Sequence, residues 1–132
     1  MDRTTALRTL RDVGAAAWFG GSLMGASGLN AAADEAAPAD RDRVASAGWA
    51  RWTPFFRAAA ATHLVGSLGV LAQTRSASSA VGLGLTTAAL GATMGTAKLG
   101  ASDAPKETIH KVEWAIPALL AAVVVLGARR QG

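Results

Sequence analysis

Residues 13–33 read VGAAAWFGGSLMGASGLNAAA and contain no charged side chain. A helix needs about 20 such residues to cross a hydrocarbon layer of ~30 Å. The stretch is also rich in glycine, which costs about 1 kcal/mol relative to alanine in a water-soluble helix. In a membrane, small residues offset part of that cost by letting helix backbones approach closely. Helical period puts Gly14, Trp18, Gly21, Gly25 and Gly28 on one stripe, with Gly21 and Gly25 forming GxxxG. Asn30 falls on the opposite side, with Phe19 and Leu23. The basic head before this stretch and the small residues at its end also suit a cleaved signal peptide. The apolar run is longer than the ~7–15 residues of such a peptide, however, and GxxxG has no use in a discarded segment. The expectation is a retained span.

Working outward, the same pattern recurs three times. Residues 53–72 form a second expected span, with Pro54 suited to an early helical position. Residues 80–100 form a third, rich in Gly and Thr, with a second GxxxG at Gly91 and Gly95 and with Lys98 on the same stripe. Residues 110–128 form a fourth, with Pro117 expected to loosen the helix near Glu113. Residues 1–12 read as a polar head with one or two interfacial turns. Residues 34–52 read as the long polar loop, in which Pro38 breaks any helix, Asp40 caps a short one, and Trp49 and Trp52 mark the membrane interface. A short turn over 73–79 implies antiparallel neighbours.

Composition agrees. The chain has 132 residues, enough for one domain, and is 51% hydrophobic, with the apolar residues in blocks rather than at amphipathic spacing. The net charge of +4 comes without an aromatic-basic surface, so nucleic acid is not an expected partner. The absence of Cys excludes thiol redox catalysis and Cys-ligated metals. Four spans put Arg3, Arg8, Arg11, Arg75, Arg129 and Arg130 on one side, against Asp2 and Asp12. That distribution predicts a multi-pass protein of the cell membrane with both termini cytoplasmic.

Antiparallel threading has a chemical consequence. Asn30, Arg57, His63, Lys98, His110 and Glu113 collect in one half of the bundle, the outer half in this topology. Ionisable groups at such depth are costly and mark functional sites. The first reading is structural: Glu113 pairs with Arg57 or Lys98 to position helices. The alternative is a small-molecule or oxidoreductase-like pocket, with His63 as the catalytic acid-base candidate and Arg57 or Lys98 holding an anionic group. On that alternative, His63→Ala leaves folding intact and removes binding, whereas Gly21→Leu and Gly91→Leu disturb assembly. No metal or other cofactor is expected. Glu107 and His110 form one Glu-x-x-His with Glu113 a turn on, where di-iron bundles need two such motifs and two further Glu.

The block AAWFGGSLMG at 16–25 with Asn30, followed by RVASAGWARWTP at 43–54 and the His63 span, resembles a group of uncharacterised small four-span integral membrane proteins of actinobacteria. The resemblance covers nearly the whole chain and brings no activity with it. Size and four-span layout alone are similar to anthrone-oxygenase-like membrane proteins, with no motif that carries over a catalytic residue. The expected fold is therefore all-α, a four-helix transmembrane bundle of up-down antiparallel topology. Its packing faces are Gly21 and Gly25, and Gly91 and Gly95. Its expected role is structural or accessory, with the lipid bilayer, a second copy or another membrane protein as partner.

Overall fold

A computed structural model describes residues 1–129 and consists of helices joined by short turns. Arg130, counted above among the flanking charges, lies outside the described residues. The elements are α1 (Arg3–Met24), a π-helical turn (Gly25–Leu29), α2 (Asn30–Glu35), α3 (Arg41–Thr74), α4 (Ala77–Gly100) and α5 (Lys106–Ala128). Because α1, the π turn and α2 are continuous, they form one rod. With α3, α4 and α5 it makes an all-α four-helix bundle. Three helices, α3, α4 and α5, are long and apolar enough to cross a membrane. Among the described residues α1 is not one of these, since its first three turns carry the polar head.

Several helix boundaries differ from the expected ones, each for a local reason. The head is helical from Arg3 because the Asp2 carboxylate caps the first turn, accepting from the Thr5 backbone N–H at 2.9 Å. The loop expected over 34–52 shrinks to the few residues around Pro38, and α3 runs unbroken from Arg41 through Pro54 to Thr74. Asp40 precedes α3 but makes no capping bond, because its carboxylate takes the Arg43 guanidinium at 2.7 Å instead. The turn over 73–79 tightens to Arg75 and Ser76. Arg75 adopts a left-handed conformation (φ 46°), the usual way to end a helix, and Ser76 caps α4. α5 stays continuous across Pro117.

The tightest seam joins α1 to α3. A side chain at Gly14 would overlap the His63 backbone nitrogen and the Ala59 carbonyl oxygen. Reciprocally, one at Gly66 would overlap the backbone of Leu7 and Arg11. Each helix thus presents a glycine to the other's main chain. Further along, Gly21 lies against the Trp52 indole and Gly25 against that of Trp49. The first GxxxG therefore makes room for two half-buried tryptophans of α3. The second behaves differently: nothing lies within 4 Å of a side chain built at Gly91 or Gly95. Among the described residues, a side chain at either position would meet no other helix. The core is Trp18, Ala59, Ala60, Ala89, Ile116 and Leu120, with Trp18 edge-on to Phe56 at 5.5 Å between centroids.

Candidate functional site

Trp18 and its neighbours divide the bundle into two unlike halves. The half containing the Arg75 turn is closed. His63 is fully buried there and joins three helices. Its Nδ1 lies 2.7 Å from the Arg11 carbonyl oxygen on α1, and its Nε2 lies 2.8 Å from the Thr86 hydroxyl on α4. A carbonyl only accepts, so Nδ1 carries a proton. Ser67 approaches Nε2 at 3.4 Å. Arg11, expected to be an exposed flanking charge, is 7% exposed and bonds Asp12 through Nε at 2.7 Å and Nη2 at 3.2 Å. Gly127 of α5 leaves space for that guanidinium. A cavity of about 20 Å³ beside Arg11, Ser67 and Ser79 has room for one water. This half holds a dense set of internal polar groups, and the structure puts His63 here, apart from the other candidates expected with it.

The other half is open. It contains a cavity of about 720 Å³, within the ~300–1,000 Å³ usual for small-molecule sites. The first wall is Ser22, Ala26 and Asn30, the second Trp49, Trp52, Thr53, Phe56 and Arg57 from α3. Thr93, Thr96 and Ala97 from α4 and Ile109, Glu113 and Ile116 from α5 lie opposite, and Asp42 of α3 adds a second carboxylate to the lining. The space exists because α3 and α4 diverge. They meet at the two-residue turn and at the His63–Thr86 bond, whereas further along Thr53 and Thr93 both face the cavity.

At its polar end the indole Nε1–H of Trp49 donates to Asn30 Oδ1 at 3.1 Å. The Asn30 Nδ2–H then donates to Glu113 Oε2 at 2.8 Å. The π turn makes this possible. On an unbroken helix Asn30 would sit about 140° round from Gly25, five residues at roughly 100° each. The π turn, closed by the Asn30 N–H bonding the Gly25 carbonyl, absorbs one residue and turns Asn30 back by roughly 100°. It thereby joins the Trp49 side. Sequence periodicity put Asn30 on the far side because no simple residue pattern marks a π turn.

Of the six residues expected together, the cavity brings together Asn30, Arg57 and Glu113. Lys98 and His110 are exposed and do not line it. The expected pairing of Glu113 with Arg57 or Lys98 is absent among the described residues, where Glu113 bonds Asn30 and Arg57 has no ion pair or hydrogen bond. Glu107 is engaged by Lys111 at 2.7 Å, and no three His, Asp or Glu among the described residues gather in a metal-holding group. Sequence reasoning missed Ser22 and Trp49. Ser22 is 8% exposed and lines the cavity with its hydroxyl bonded to no other described residue. Ser22 lies three residues before Gly25 of the first GxxxG, the available signal, whereas the contact of Trp49 with Gly25 is made only by the packing of α3 on the first rod. No family model matches this chain, and neither a curated protein nor a solved structure gives a significant match.

Proposed function

We propose that this protein is a four-span protein of the cell membrane, with both termini cytoplasmic, that binds a small molecule in the open half of its bundle. One observation carries the reading: a cavity of about 720 Å³ with a fixed polar chain, Trp49 to Asn30 to Glu113, at one end and aromatic and aliphatic walls elsewhere. Sites for small ligands combine these features. A membrane interior also strongly disfavours a carboxylate without a task. α3, α4 and α5 supply three spans by length and apolarity, and the rod of α1 and α2 packs along α3 as the fourth. A structural or accessory role is the second reading, favoured by the uncovered Gly91 and Gly95 face of α4, which would suit a second copy or another membrane protein.

Native mass spectrometry of protein gently extracted from its own membrane separates the two. A co-purifying small molecule that is lost in Ala97→Phe, which adds a ring to the cavity wall, and retained in His63→Gln supports binding. A bare protein, alone or as a defined oligomer, overturns it in favour of the structural role.

A further inference from the structure

Resting on that reading, we propose that the cavity takes an amphipathic organic cation, a protonated amine on an apolar body, with its N–H on Glu113. The direction of the polar chain argues for this. An indole N–H only donates, so Asn30 must turn its oxygen to Trp49 and its amide N–H to Glu113. Every donor in the chain points toward the carboxylate. Oε2 is occupied and the side chain is held in place, leaving Oε1 as a fixed acceptor. The hydroxyls in the walls reinforce it. Thr53, Thr93 and Thr96 donate to carbonyls of their own helices at 2.9, 2.9 and 2.8 Å, so they offer a ligand only lone pairs. The Ser22 hydroxyl, on the cavity wall and bonded to no other described residue, is a further group that a donor can satisfy.

Arg57 is the competing feature, since it would attract an anion. It is exposed, holds no partner among the described residues, and has a long flexible stem. Preorganised groups set affinity more than mobile ones, so Glu113 decides the ligand's charge. Trp49, Trp52 and Phe56 add ring faces that attract cations, and Ile109 and Ile116 cover an apolar body.

Two probes with the same chain and opposite heads test the assignment: dodecylamine and dodecanoate, titrated onto the protein in phosphatidylcholine nanodiscs and read by native mass spectrometry. The expected result is saturable binding of one dodecylamine per chain. Glu113→Gln should weaken it tenfold or more, Arg57→Ala should leave it unchanged, and Ala97→Phe should abolish it. Trp49→Phe, which frees the Asn30 amide to flip, should weaken it about threefold and serves if Glu113→Gln fails to fold. Tighter dodecanoate binding that is lost in Arg57→Ala overturns the cation assignment and leaves the small-molecule reading standing. Equal binding of both probes, insensitive to Glu113→Gln and Trp49→Phe, also overturns it. No binding of either probe, together with a bare protein from the native membrane, overturns both.

Discussion

The two halves of this bundle are built from the same four helices and use polar groups in opposite ways. In the closed half His63, Arg11 and Thr86 are buried and bonded to one another or to nearby backbone, and glycines bring α1 and α3 into main-chain contact. In the open half Glu113, Arg57 and Ser22 keep unused bonding capacity around a cavity. The difference teaches that burial does not identify a site. His63 is fully buried, yet its bonds are internal. Glu113 is only partly buried and lines the cavity.

Perturbations should therefore divide by half. The largest effect belongs to the closed seam. Gly14→Leu or Gly66→Leu drives a side chain into backbone of the facing helix, beyond the ~1–3 kcal/mol usual for overpacking. Thermal unfolding in detergent should show loss of most folded protein. His63→Ala comes next. It removes the bonds to the Arg11 carbonyl and to the Thr86 hydroxyl, which keeps only the Gly82 carbonyl, and leaves a void, a loss of about 2–4 kcal/mol. The comparison breaks if His63→Ala melts like the parent and binding in the open half disappears.

In the open half the order reverses. Glu113→Gln keeps an acceptor for the Asn30 amide, so its melting should shift by the equivalent of about 1 kcal/mol or less. Ligand affinity should change far more than stability. The smallest effect is expected at Gly91→Leu and Gly95→Leu. Nothing within the chain meets the added side chain, and stability should stay within about 0.5 kcal/mol. A change in oligomer size by native mass spectrometry at these two positions, with melting unaltered, would sharpen the second reading of the function.

All four helical rods were legible because long apolar runs and their polar flanks are one-dimensional signals, and the antiparallel order followed from short turns. The glycine stripe of the first rod was also legible as a contact face. What it contacts was not, since a gap left by glycine admits a backbone, as at Gly14, or an indole, as at Gly21 and Gly25. The second GxxxG has the same sequence pattern, and a side chain there would meet nothing among the described residues. Pro54 and Asp40 misled about α3 for a related reason: a helix tolerates a proline when its flanks are held, and a carboxylate chooses between a cap and a cation by position in space.

By itself, then, the sequence determined an all-α chain of apolar helices, one face rich in glycine, and a set of ionisable residues brought into rough proximity by threading. Hydrophobic run length and helical period require nothing more than local order. Only the tertiary structure decided which of those residues meet. The π turn rotates Asn30 toward Trp49 and Glu113, the divergence of α3 from α4 opens the cavity beside Arg57, and the glycine contacts fix His63 between Arg11 and Thr86. Each depends on helix phase and separation, which vary by a residue's rotation or a few ångströms without any change in the pattern that makes a helix.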